Sequence, residues 1–168
     1  AFTGLAGPGG VAVDAAGDVF VADTDHGRVV ELAKGATSQE TVLFSGLVSP
    51  YGVAVDRFGN VYASDYAANK VVEVPANAGP QVPLEVTGLS YPGGVTVDAA
   101  GNVYVVDTGH NRVVEAPVDG GGQVDLSFTN LDHPDDIALD AAGNVYLTDS
   151  SNDRLVELAT ALPLLRAT

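Results

Sequence analysis

The chain contains no cysteine, no methionine and no tryptophan, and it sets only seven lysines and arginines against 22 acidic residues. Without cysteine, structural disulfides and thiolate metal sites are excluded, and the redox compartment leaves no mark on the sequence. A formal net charge of −15 removes the cationic footprint that phosphate backbones demand, which argues against nucleic acid as a partner. An anionic membrane surface is equally unfavourable. No run of about 18 apolar residues is present, so this segment is not expected to insert into a membrane. The sequence shows neither an initiating methionine nor a signal peptide and reads as a processed or excised portion. The acidic balance suits solubility or a cationic partner.

What is present is a repeat. A unit of 42 residues recurs four times in phase over 168 residues. Its copies open at Pro8-Gly9-Gly10-Val11-Ala12-Val13-Asp14, at Pro50-Tyr51-Gly52-Val53-Ala54-Val55-Asp56, at Pro92-Gly93-Gly94-Val95-Thr96-Val97-Asp98 and at Pro134-Asp135-Asp136-Ile137-Ala138-Leu139-Asp140. In the third copy, strands are expected at Gly94–Val97, Val103–Val106, Arg112–Ala116 and around Val124 to Phe128, joined by turns rich in Gly, Asn and Asp. The Asp-x-x-Gly turns place Gly17, Gly59, Gly101 and Gly143 where a positive φ is needed. Four short strands every 40–45 residues or so are the signature of a propeller blade. The fold class is therefore all-β, a β-propeller with four four-stranded antiparallel blades, in one domain over residues 1–168. Phe20, Tyr62, Tyr104 and Tyr146 are expected to fill the space between blades, and Ala12, Ala54, Thr96 and Ala138 to let inner strands crowd near the axis.

The same residues, above all Gly101-Asn102-Val103-Tyr104-Val105-Val106-Asp107 and Asn111-Arg112-Val113-Val114, resemble the NHL-repeat family. The likeness implies a propeller of NHL type, usually with six blades. The chain is most similar to the extracellular sensor propellers of actinobacterial receptor serine/threonine kinases, on Phe2-Thr3-Gly4-Leu5 and the looser Phe44-Ser45-Gly46-Leu47. This implies an extracellular or cell-surface portion of a bacterial protein.

Four repeats leave ring closure open. In repeat phase Thr168 runs into Ala1, so Ala1 to Leu5 is expected to complete the outer strand of the last blade and remove an exposed edge. The closure is expected within one chain as a four-bladed ring or between chains, unless the chain is an excised part of a longer ring. Two chains would give eight blades, and three would supply two six-bladed rings by exchange. Self-association is thus one expected partner relation; the other is an unknown protein or small ligand.

Departures from the repeat mark the candidate site. His133, Asp135 and Asp136 replace residues that are mostly Gly, at the entry to an innermost strand. With Tyr51, Tyr91 and Tyr66 they are expected at the mouth of a central channel. Asp135 and Asp136 are adjacent in a strand, which would turn them to opposite faces. His26 and His110 share one repeat position and are weak metal candidates, lying in the turn between second and third strands. Asp23, Asp65, Asp107 and Asp149 are expected to anchor the following turn through its N–H groups, and the Glu31, Glu73, Glu115 and Glu157 series to be structural or solvated. Arg28, Lys70, Arg112 and Arg154 share one position and read as blade architecture.

No catalytic residues and no cofactor are expected. The reading is a non-catalytic ligand- or protein-binding or scaffold propeller, which the resemblance makes a sensor domain of a bacterial receptor kinase. Two alternatives stand beside it: a channel-metal lyase or hydrolase of NHL-like type, and an engineered or excised repeat protein without a ligand.

Overall fold

Turn chemistry recurring in phase with short apolar runs folds each repeat into one antiparallel sheet. The computed structural model describes residues 1–42, 44–77 and 79–159. Blade 1 comprises β1 (Pro8–Val13), β2 (Val19–Asp23), β3 (Arg28–Leu32) and β4 (Glu40–Thr41). Blade 2 comprises β5 (Pro50–Val55), β6 (Val61–Asp65), β7 (Lys70–Val74) and β8 (Val82–Pro83). Blade 3 comprises β9 (Pro92–Val97), β10 (Val103–Asp107), β11 (Arg112–Ala116) and β12 (Val124–Asp125). Blade 4 shows β13 (Pro134–Leu139), β14 (Val145–Asp149) and β15 (Arg154–Leu158). Strands within a blade pair in sequence order. The only helical geometry among the described residues is three single 3₁₀ turns, at Thr24–His26, Thr108–His110 and Ser150–Asn152. The molecule is an all-β propeller with four antiparallel blades.

The first hairpin of each blade closes as the residue types require. Gly17, Gly59, Gly101 and Gly143 hold φ between 85° and 102°, a region that L side chains reach only at a cost. Asp98 Oδ1 accepts the N–H groups of Ala100, Gly101 and Asn102 at 2.8–2.9 Å, so the loop backbone is satisfied by a side chain two to four residues back.

The outermost strands are shorter than expected. β12 ends at Asp125. Leu126 N–H still donates to Val113 O, but Phe128 N–H then bonds Leu126 O, and this tight turn carries the chain off the sheet. The N-terminal stretch forms no strand: Thr3 N–H donates to Gln39 Oε1 and Gln39 Nε2–H to Thr3 O. Ser45 with Gln81 and Thr87 with Gln123 repeat this pairing, so Thr3 is seated as the lead-in to blade 1. The outer strand expected for blade 4 falls partly on residues 160–168, outside the described residues.

The core lies between blades, because both faces of a blade are apolar. Phe20 and Val29 of blade 1 pack with Val53, Val61, Ala63 and Val72 of blade 2. Tyr62 and Val71 of blade 2 pack with Val95, Val103, Val105 and Val114 of blade 3. Val106 and Val113 of blade 3 pack with Ile137, Val145 and Leu147 of blade 4. Each blade thus has a trailing face, turned to the next blade, and a leading face, turned to the one before. Of the expected aromatic wedges, Phe20 and Tyr62 are buried, while Tyr104 and Tyr146 are only partly so. The inner strands pack in succession, β1 on β5, β5 on β9 and β9 on β13. No comparable packing joins β13 to β1, so the described blades form an open arc.

Candidate functional site

The four inner strands border a central cavity of ≈ 510 Å³, lined by Gly10, Ala12, Ala54, Thr96, Ala138 and neighbours. Small side chains at these positions let the strands approach the axis. Each inner strand is bulged near its start: one extra residue lies between Pro8 and Val11, Pro50 and Val53, Pro92 and Val95, and Pro134 and Ile137 relative to the paired strand. A bulge breaks the alternation of side chains. This corrects the expectation for Asp135 and Asp136. They sit inside the bulge, and both line one cavity of ≈ 280 Å³ at the channel mouth, with Gly9, Gly10, Thr24 and Tyr51.

Tyr51 reaches over the channel from blade 2 to blade 4. Its hydroxyl lies 2.9 and 3.1 Å from the two carboxylate oxygens of Asp135, 84 residues away. Burial, the bond to Asp135 and the charges of Asp135 and Asp136 together push the Tyr51 hydroxyl up to a pKa of about 12. Tyr51 continues into a file of rings, with centroids 6.2 Å from Tyr51 to Tyr66 and 5.1 Å from Tyr66 to Tyr91. Tyr66 and Tyr91 are both exposed. Asp136 Oδ1 accepts only the N–H of Ile137, and neither Asp135 nor Asp136 forms an ion pair among the described residues.

His133 stands apart from this group. Its backbone holds φ 49°, with its N–H donating to Asn111 Oδ1 at 2.8 Å, and its exposed ring lies 3.2 Å from Asp132 Oδ1. Thr24 is the mouth residue that sequence reading missed; its Oγ1 donates to Pro50 O at 2.7 Å. The recurrence of Thr at the equivalent position 108 was the available signal.

His26 and His110 lie 2.9 and 3.0 Å from the carboxylates of Asp23 and Asp107 of their own blades, away from the channel. No group of three metal-ligating side chains occurs among the described residues. The buried aspartates do more than the turn-anchoring expected of them, which is seen at Asp65, where the Ala68 N–H of the following turn donates to Oδ1 at 3.2 Å. Asp23, Asp65, Asp107 and Asp149 are fully buried, and they tie mainly the loop entering the inner strand rather than the turn that follows them. Ala6, Ser90 and Asp132 each donate an N–H to them, and Val48 and Ser49 both donate to Asp65. Arg28, Arg112 and Arg154 close the same anchors through Nε at 2.7 Å, which makes this basic series architectural. Burial alone would raise Asp149, but the Asp132 N–H, Asn152 and Arg154 outweigh it and hold its carboxyl below the ordinary value.

Comparison with known proteins supports the architecture. A family model for the NHL repeat matches residues 5–32 and 89–115, the first three strands of blades 1 and 3 with their lead-ins. No curated protein sequence matches the chain. Among solved structures, the chain is similar to one in a nidogen/laminin complex, with a TM-score of 0.73 and 22% identity over 91% of this chain and 65% of that one. It is also similar to a streptogramin B lyase, with a TM-score of 0.73 and 18% identity over 95% and 56%. A virginiamycin B lyase from Staphylococcus aureus gives 0.70 and 16% over 94% and 57%. At these identities the likeness is one of fold. The chain spans between 56% and 65% of the length of these structures.

Proposed function

We propose, from the premise that this chain is an NHL-repeat β-propeller, that it is a non-catalytic binding module whose ligand sits at the channel mouth. The observation that carries this is the Tyr51–Asp135 contact across the channel, continued by the exposed rings of Tyr66 and Tyr91. Carboxylates without a basic neighbour, beside a file of tilted aromatic rings, suit a ligand presenting an ammonium or guanidinium group, since ring faces attract cations. A protein carrying −15 overall also draws cations toward its clefts. Asp135, Asp136, Tyr51, Tyr66 and Tyr91 form the binding set, with His133 at its rim. We assign the module, on its resemblance to receptor-kinase propellers, to the extracellular sensing part of a bacterial protein.

With no tryptophan in the chain, its intrinsic emission comes from tyrosine, and this provides the test. Titration with spermidine should change tyrosine emission saturably. The change should be lost in an Asp135→Asn/Asp136→Asn double variant and weakened in Tyr66→Ala. An unchanged response in the double variant would mean diffuse charge attraction and remove the site. The lyase alternative rests on likeness of fold alone. Stoichiometric metal retained by the purified protein would turn the reading toward it.

A further inference from the structure

One repeat position holds glycine in blades 1 and 3 and a larger residue in blades 2 and 4. Gly9, Tyr51, Gly93 and Asp135 stand at successive steps of 42 residues. The two side chains at this position meet, with the Tyr51 hydroxyl 2.9 and 3.1 Å from Asp135 Oδ1 and Oδ2. The bond joins blade 2 to blade 4 and passes over blade 3. It is no part of blade packing, since adjacent blades are held by their apolar faces. The glycines explain how the pair is seated. A Cβ on Gly9 would stand 2.6 Å from Tyr51 O, and one on Gly93 would stand 2.5 Å from Asp135 O. The backbones of Tyr51 and Asp135 are thus held closely by the preceding blades, and the bond between them can open only by rotation of side chains.

The phenol carries one proton, and it faces both oxygens of the carboxylate. That is the side on which a cation with N–H donors would bind. No other donor reaches Asp135 among the described residues, so the Tyr51 hydroxyl is its hydrogen-bond partner. Asp136 lines the same cavity of ≈ 280 Å³, and the Tyr51 ring begins the file that runs out to the exposed rings of Tyr66 and Tyr91.

Two kinds of cation fare differently at such a mouth. A primary ammonium can take the carboxylate from the phenol and return a charged hydrogen bond for the one it breaks. A quaternary ammonium has no N–H to return. Displacing the phenol would strip the carboxylate of its donor, and a site built around a hydrogen bond rejects the analogue that cannot make it. The quaternary cation is left with the outer ring faces, which attract charge without needing a donor.

We infer that the Tyr51 hydroxyl is a specificity gate on the Asp135 carboxylate, which yields to a cation bearing N–H donors and stays shut against a quaternary one. The inference rests on the channel-mouth reading above and adds to it the class of cation and the residue that selects it. Selection here works by built-in competition, so the protein gives up part of its affinity for amines to exclude their methylated counterparts.

The test compares cadaverine, a dication at neutral pH, with pentamethonium, its bis(trimethylammonium) analogue, by calorimetric titration at low salt. The two share charge and chain length and differ in N–H donors. Native protein should bind cadaverine more tightly. Tyr51→Phe keeps the ring and removes the competing hydroxyl. It should bind cadaverine about tenfold more tightly, the scale of one hydrogen bond to a charged group, and pentamethonium within about twofold of native. Asp135→Asn keeps an acceptor for Tyr51 without the charge, and should lose most of the preference for cadaverine. Far-ultraviolet spectra of both variants should match that of the native protein. An unchanged or weaker affinity for cadaverine in Tyr51→Phe overturns the gate and leaves the binding site standing. Equal strengthening of both dications also overturns it, because the hydroxyl would then obstruct by size alone. Binding of neither dication, to native protein or to Tyr51→Phe, overturns the gate together with the channel-mouth reading.

Discussion

Blades 2 and 3 are covered on both faces, and blades 1 and 4 on only one. The residues on the covered and open faces are nearly the same: Val11 matches Val53 and Val95, and Leu155 matches Val71 and Val113. Burial at these positions therefore follows from the neighbour rather than from the residue. What the end blades keep unchanged is internal to each repeat: the Asp-x-x-Gly hairpin and the buried aspartate with its arginine. What each lacks is one of the two junctions that a middle blade makes. This is the behaviour of a quasi-one-dimensional array, in which stability divides between each unit and its junctions.

The anchor inside the blade should show the largest effect. Asp107→Ala leaves the Ser90 N–H without its acceptor and takes the Nε partner from Arg112, whose other nitrogens keep Asp125 and the Gly88 carbonyl; removing one partner of this buried pair should cost about 3–5 kcal/mol. Asp149→Ala should cost a similar amount, because its partners Asp132, Asn152 and Arg154 all lie in its own repeat. Urea midpoints that fell for Asp107 alone would show that the anchor depends on the neighbouring blade.

Two leucines in one blade separate the faces most directly. Leu147 is fully buried in the junction between blades 3 and 4, and Leu147→Ala should cost about 2–5 kcal/mol. Leu155→Ala should change stability by less than about 0.5 kcal/mol in dilute protein. Equal urea midpoints for Leu147→Ala and Leu155→Ala would contradict the difference in burial between the two faces.

Glycines should show the same contrast on a smaller scale. A Cβ on Gly94 would meet Asp136 Cα at 2.9 Å and Ile137 N at 3.0 Å, so Gly94→Ala should cost about 1–3 kcal/mol by overpacking. Nothing lies within 4 Å of a Cβ on Gly122. Gly122→Ala should be neutral or raise the thermal midpoint by restricting the unfolded chain. A comparable loss at both positions would contradict the close approach of the inner strands.

The smallest effect should be electrostatic. Burial first, and then the charge of Asp56, raises the Glu73 carboxyl above its ordinary 4.5. A carboxyl raised on folding weighs against the folded state when ionised, and this burden lifts as pH falls through the folded value toward 4.5. Glu73→Gln should therefore gain stability at pH 7 and lose that advantage below pH 4.5. Asp98 runs the other way: burial opposes its ionisation, but Asn102 and the loop N–H groups hold its carboxyl below 3.8. Its contribution is present above 3.8 and is lost as pH falls through the folded value. Thermal midpoints against pH for the native protein and Glu73→Gln would check both signs.

The sequence by itself determined the repeat, the strand positions, the hairpin glycines and the apolar character of both blade faces, because side-chain alternation and turn chemistry act within a few residues. Three further features belong to tertiary structure. The bulge between Pro134 and Ile137 brings Asp135 and Asp136 to one cavity, against simple alternation, because an extra residue only has meaning relative to a paired strand. Tyr51 meets Asp135 because the curvature of the arc carries blade 2 within a side chain's reach of blade 4. The opening between blades 4 and 1 reflects the angle set at each junction, summed over three junctions, and no local pattern of residues records that sum.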